Sequence, residues 1–311
     1  MKNTAILLAA ALLTAATASA QKMEKTSWTD RDAHIYIKSD DGTTLEASVG
    51  FAHDASSMAF KRTATGVFVA TQDFEYECDN SVYKIKSCDC PKTGKTEYLY
   101  KESSQGKFMG VFVKDDGNEY DDRQEFFDAL NGTYTDKDGK KYVFNNNTLT
   151  IDGKKMSVEP IRGELGFTNG VTIDGKNYCF KISETGINIY TTNNGEWDMD
   201  FDPVSLWVKL RADLNVNKGR WPITNQKIVL AGYLSRYSKS LLRLMRNEIY
   251  ARHGYKFASA DLTTYFSKTN WYQPGSDNSQ IKISDLEQLN INIIKHYEDN
   301  RQFYGEIEKG L

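Results

Sequence analysis

Histidine is scarce in this chain of 311 residues: His 4 in total, with His34, His53 and His296 far apart. No serine-hydrolase triad or zinc motif can be assembled from them. The patterns G-x-S-x-G and H-E-x-x-H are missing, as is any cysteine–histidine protease signature. Beyond the N-terminus no run is apolar enough for a membrane helix, so the mature chain is expected to lack a transmembrane segment. Neither sign of charge dominates: the formal net charge of -3 names no partner and does not suggest nucleic acid. No cofactor is implied. Carboxylates are plentiful, Asp+Glu 42, which leaves a paired-carboxylate hydrolase open on composition alone.

What is present begins with a leader. Lys2 supplies a positive start, Ala5 to Leu13 is an apolar stretch too short to span a bilayer, and Ala18-Ser19-Ala20 is a small-residue cleavage site. Residues 1–20 therefore read as a signal peptide cleaved after Ala20. No cysteine follows the site for lipid attachment, so the expected destination is periplasmic or secreted. The aromatic content of 12% is too high for a disordered chain, and the length suits two or three domains.

Residues 21–120 read as a β-rich domain. His34-Ile35-Tyr36-Ile37 alternates and runs into Asp40-Asp41-Gly42, a hairpin turn. Leu45–Phe51, Gly66–Ala70, Ser81–Ile85, Glu97–Tyr100 and Phe108–Val113 are further short extended candidates, as an antiparallel barrel or sandwich requires. Residues 121–213 form a second β-rich unit, opened by a helix over DRQEFFDAL. Asp-Gly-Lys recurs at Asp138, Asp152 and Asp174, each suited to a hairpin turn with positive φ. A small up-and-down barrel is expected there, with a split sandwich as the alternative.

The four cysteines are Cys78, Cys88, Cys90 and Cys179. In an oxidising compartment an even count suggests two bridges. Cys88 and Cys90 are too close in sequence for a relaxed bridge to each other, so Cys78 is expected to pair with one of them. Cys179 then takes the other or stays a buried thiol. Without C-x-x-C pairs or nearby histidines, zinc is disfavoured, and no metal is expected. Asp198, Asp200 and Asp202 alternate with Trp197, Met199 and Phe201. This reads as a solvated strand face, because the glycine turn and terminal glutamate of a calcium loop are lacking.

From residue 214 onward, composition shifts from alternation to helical periods. The polar stretch to Lys227, broken by Gly219 and Pro222, reads as a linker, so the helical part is expected to fold without the β-rich part. Ser238 can cap a helix whose stripe is Leu242, Met245 and Ile249 and which Gly254 ends. Ser259 can cap a shorter helix carrying Leu262, Tyr265 and Phe266. Ser284-Asp285-Leu286-Glu287 is a capping box, opening a helix with Leu286, Leu289, Ile293, Ile294 and Tyr297 inward. Arg236, Lys239, Arg243, Arg246, Arg252 and Lys256 accompany a single acid, Glu248. A solvated face with internal ion pairs outweighs an anion-binding surface.

The string Tyr250-Ala251-Arg252-His253-Gly254 resembles the signature that names the YARHG domain. Arg246-Asn247-Glu248-Ile249, Tyr255, Phe257, Tyr265-Phe266, Trp271-Tyr272, Glu287 and Asn290 extend the resemblance over residues 221–298. It implies a small all-α module that follows the β-rich regions in a multidomain α+β chain. It also implies a bacterial, extracellular setting with no agreed activity. Arg246, Glu248, Tyr250, Arg252, His253, Trp271 and Tyr272 are the candidate binding residues; no catalytic residue is expected. A structural role as polar clasps between short helices, which a thin core needs, is favoured over binding. The expected function is that of a non-catalytic binding protein whose partner is a cell-wall, glycan or envelope protein component. An envelope-polymer hydrolase, or an accessory to one, is the alternative.

Overall fold

A computed structural model describes residues 22–30, 33–51, 54–72, 80–115, 122–163, 166–192 and 203–300. Cys78, His53 and the acidic stretch from Asp198 to Asp202 lie outside them.

Two closed antiparallel barrels of eight strands each follow one another, with every strand beside its chain neighbour. The first comprises β1 (Ser27–Thr29), β2 (Ala33–Asp40), β3 (Thr44–Phe51), β4 (Asp54–Ala64), β5 (Val67–Gln72), β6 (Val82–Cys90), β7 (Gly94–Glu102) and β8 (Phe108–Asp115). Pairing of β1 with β8 closes it. Period-two alternation turns Ile35, Ile37, Leu45, Phe60, Phe68, Tyr83, Leu99 and Phe112 into one buried cluster that fills the barrel. The expectation of a barrel or sandwich is thereby resolved to a barrel. All six extended candidates read from the sequence fall on or overlap its strands, whereas β1 and β4 are not among them.

The helix α1 (Asp122–Leu130) leads into β9 (Gly132–Thr135), β10 (Lys141–Asn145), β11 (Thr148–Ile151), β12 (Lys154–Gly163), β13 (Gly166–Ile173), β14 (Lys176–Ser183), β15 (Gly186–Thr192) and β16 (Pro203–Ala212). Phe126, Phe127 and Leu130 of α1 share the core of this second barrel, so the helix packs into the barrel it precedes. Two of the Asp-Gly pairs make the expected two-residue turns, with positive φ at Asp152 and Gly153 and again at Asp174 and Gly175. Asp138-Gly139 sits in a longer turn in which the Asp136 carboxylate accepts the N–H groups of Asp138 and Lys140.

The C-terminal part is helical: α2 (Ala231–Leu234), α3 (Lys239–Arg252), α4 (Ala260–Phe266) and α5 (Asp285–Asp299). Ser238 caps α3 through the Leu241 N–H, and the Ser284–Glu287 capping box opens α5 as read from the sequence. Ser259 occupies the N-cap of α4 without capping it; its hydroxyl serves Asp261 and Arg243 instead.

The stretch before Lys227 is no solvated linker. Trp221 and Thr224 are almost wholly buried, and Pro222–Asn225 forms a short 3-10 turn. Nor do the helices close a core of their own. Cys88 and Cys90 on β6, Tyr98 on β7 and Val111 and Val113 on β8 face outward from the first barrel and share one buried cluster with Trp221, Ile228, Leu242, Met245, Leu286 and Ile293. Backbone bonds tie the parts together. The Lys92 N–H donates to the Gln226 carbonyl at 2.9 Å, and the Ala231 N–H to that of Asp30 at 3.2 Å. Buried Lys227 reaches Asp128 of α1 at 2.9 Å, and this holds the Asp128 carboxyl below its ordinary range despite burial.

Among the described residues Cys88, Cys90 and Cys179 form no bridge, and Cys78, the expected partner of Cys88 or Cys90, lies outside them. Cys88 and Cys90 meet as thiols, while Cys179 is fully buried on β14 of the other barrel.

Candidate functional site

The candidate residues are gathered around α3, the best-formed helix of the C-terminal part. Leu242, Met245 and Ile249 are completely buried, which fixes the rotation of the helix. The same rotation sends Glu248 and Arg252 toward the Gly219–Asn225 segment and Arg246 toward the last turn of α5.

Glu248 is 1% exposed. Its Oε2 accepts the Arg220 N–H and its Oε1 the Trp221 N–H, each at 2.8 Å. The carboxylate thus acts as a cap for the chain entering the module. Burial pushes the Glu248 carboxyl above its ordinary value, opposed by the Arg252 guanidinium 3.8 Å away and by these two amides. Gly219 has φ +133, and a Cβ there would lie 2.4 Å from the Glu248 carboxyl carbon. Only glycine allows the backbone to come this close.

Arg252 donates through Nη2 to the Thr224 hydroxyl and the Trp221 carbonyl, and through Nε to the Glu248 carbonyl; Nη1 is buried with no partner. His253 is the C-cap of α3, and Gly254 follows with φ +78. The His253 Nε2 lies 2.9 and 3.0 Å from the two oxygens of Glu287. Glu287 is also the acid of the α5 capping box, receiving the Ser284 N–H at 3.2 Å and its hydroxyl at 2.9 Å. Burial raises the Glu287 carboxyl, but His253 and Ser284 outweigh it and hold the group below its ordinary value.

Arg246 makes a two-point ion pair with Glu298, Nε to Oε2 at 2.8 Å. Tyr250 stacks at a tilt on Tyr255, ring centroids 5.5 Å apart. The Trp271 Nε1 donates to the Leu214 carbonyl at 2.6 Å, and the Tyr272 hydroxyl to the Tyr255 carbonyl at 2.8 Å. The structure therefore distributes the seven candidates over several separate clasps. Glu248 and Arg252 share one; His253, Arg246, Trp271 and Tyr272 each hold a different pair of segments. Ser284, Glu287 and His253 touch, but the carboxylate sits in the middle, so no base is aimed at the serine hydroxyl. A cavity of about 30 Å³ lies elsewhere, between β8 and α5, lined by Phe108, Met109, Ile293 and His296 among others. It has room for about one or two waters.

Sequence reasoning missed the partners more than the motif. Asn290 is completely buried, accepting the Val229 N–H and donating to the Thr224 and Lys227 carbonyls. Arg220 donates to the carbonyls of Ser183, Glu184 and Gly186, which joins the module to the second barrel. Of the cations expected to form a solvated face or internal pairs, Arg243, Arg246 and Arg252 are paired with Asp261, Glu298 and Glu248.

Residues 219–299 match the family model of the YARHG domain. The C-terminal part of the chain thus carries a YARHG domain, and the match begins at Gly219, the residue pressed against Glu248. In the YARHG string itself, arginine reaches the entering chain, histidine reaches α5, and glycine ends the helix. No curated protein and no solved structure matches the chain. The domain is consistent with an extracellular or envelope-associated protein. Among the described residues, no helix is long and apolar enough to cross a membrane.

Proposed function

We propose that the chain is a secreted or periplasmic, non-catalytic binding protein of the bacterial cell envelope. In this reading the signal peptide is removed after Ala20, and the two barrels and the YARHG domain form one scaffold for a cell-wall, glycan or envelope protein partner. The observation that carries the reading is the use made of the motif. Glu248, Arg252, His253 and Arg246 each bond to another segment of the same chain, and no nucleophile–base pair is assembled among them. Their role is to hold the entering chain, α3 and α5 in register, and the binding surface lies outside this cluster.

The test pairs two measurements on mature protein and its Arg252→Ala variant: thermal melting, and capture of material from envelope extract. The expected result is a lower melting temperature, with binding retained by the fraction that is folded. A variant that melts like the parent yet captures nothing would make the helix end a binding site and overturn the structural role. Release of soluble fragments from purified cell wall by the mature protein would overturn the non-catalytic reading.

A further inference from the structure

Strand β6 ends in Cys88-Asp89-Cys90, and the alternation of a strand turns both thiols to the outer face of the first barrel, beneath the helical module. The two sulfurs are 3.6 Å apart and hydrogen-bonded. Along an extended strand, alternate Cα atoms are separated by about 6.6 Å. That is the upper end of what a disulfide spans, so closing one here would deform the strand.

The surroundings treat the two sulfurs differently. Cys90 is held down to about 6, first by the hydrogen bond from the Cys88 thiol and, against burial, by the Thr96 and Thr93 hydroxyls and the Ile228 N–H. Cys88 is pushed up, first by that same hydrogen bond, then by burial and by the nearby charges of Cys90, Asp89 and Asp285. Thr93 in the exposed β6–β7 turn and Thr96 on β7 have their hydroxyls 2.9 Å apart.

We infer that Cys88 and Cys90 form a two-sulfur binding site for a soft, monovalent closed-shell metal ion of the copper(I) class. Thiolates select soft ions, and zinc in a structural site asks for four ligands. Among the described residues no group of three or more His, Cys, Asp or Glu is assembled. Two convergent sulfurs suit an ion content with two-coordination, which side-chain rotation accommodates while the strand stays as it is. Binding is balanced without a redox step. Each thiol proton still held is released as the ion binds, giving a bis-thiolate complex of net charge -1. The Thr93, Thr96 and Ile228 donors that now face Cys90 remain to stabilise that charge.

The test is a titration of the reduced, full mature chain with copper(I), held reduced and in competition with a chromogenic copper(I) chelator. One copper per chain is expected. Cys88→Ser and Cys90→Ser should each weaken binding by more than the roughly 10–100-fold that loss of an outer-shell partner costs. Cys78→Ser should bind like the parent. X-ray absorption of the copper-loaded parent should show two sulfur neighbours, a readout that survives if a serine variant fails to fold. No competition with the chelator, unchanged affinity in folded Cys88→Ser or Cys90→Ser, or a three-sulfur or nitrogen–oxygen shell would overturn the site. So would protein from its native compartment in which either thiol is already part of a disulfide.

Discussion

At the scale of single residues, the polar side chains of α3 do the joining that a larger domain would leave to apolar packing. Removing the Arg252 guanidinium leaves the buried Glu248 carboxylate and the Thr224 hydroxyl short of a partner. Arg252→Ala should therefore lower unfolding free energy by about 1–4 kcal/mol in urea titrations. Arg243 is more exposed, and its pair with Asp261 spans α3 and α4. Arg243→Ala should cost no more than about 1 kcal/mol. Equal losses in the two variants would mean that the buried clasp contributes nothing special. Gly219→Ala attacks the same contact from the other side. With positive φ and a Cβ pressed into the Glu248 carboxyl, it should cost about 1–3 kcal/mol. An alanine variant as stable as the parent would show that the close approach relaxes freely. The residues of the motif were legible in the sequence because helix periodicity, caps and the terminal glycine are local signals. Their partners were not. Gly219, Arg220, Trp221 and Thr224 lie in a stretch whose polarity imitates a linker, and Glu298 is far along the chain from Arg246.

At the scale of elements, α5 is the piece that both clasps and barrel compete to place. Its first turn is held by Ser284, Glu287 and His253, and its last by Arg246 with Glu298. Near its end His296 packs edge-on against Phe108 of β8, ring centroids 5.9 Å apart. Burial lowers the affinity of His296 for a proton, reinforced by Lys107 and Lys101 and opposed by Asp299. The sign follows from linkage. With its folded-state value below the ordinary 6.5, the imidazole takes up a proton more readily when unfolded. Stability is then greatest above pH 6.5 and falls as pH drops through that value toward the folded-state one. Melting temperatures between pH 7.5 and about 5 should show this fall, and His296→Gln should flatten it; a variant with the parent's pH slope would assign the effect to other groups. Ser284→Ala removes the N-cap and one hydroxyl bond to Glu287, and should cost about 0.5–2 kcal/mol by chemical denaturation. The strands were read unevenly for a physical reason. Hairpin turns such as Asp152-Gly153 and Asp174-Gly175 announce themselves locally through positive φ. Closure of β1 on β8, or of β16 on β9, joins distant segments and leaves no local trace. β4 escaped notice because Asp54–Ala64 alternates weakly, with Met58 and Phe60 its only large inward apolar side chains.

At the scale of the molecule, the described residues form three cores, of which two are self-contained. Each barrel fills its own interior, while the third core is shared between the helices and the outer wall of the first barrel. Residues 218–300 expressed alone would expose the helical side of that core. A loss of only about 2 kcal/mol would lower the melting temperature by roughly 8–16 °C for a unit of this size. Circular dichroism should therefore show a helical fragment that melts well below the intact chain, and equal melting temperatures would show that the helices need no barrel. The shared core also bears on how the protein is made. Both barrels can close as soon as β16 has been added, because all their strands precede α2 to α5. The outer wall formed by Tyr98, Val111 and Val113 cannot be covered until Trp221 and α5 have followed. Throughout that interval of synthesis, a finished barrel carries a sticky flank. Early termination anywhere between β16 and α5 therefore leaves a closed barrel prone to self-association rather than an unfolded chain.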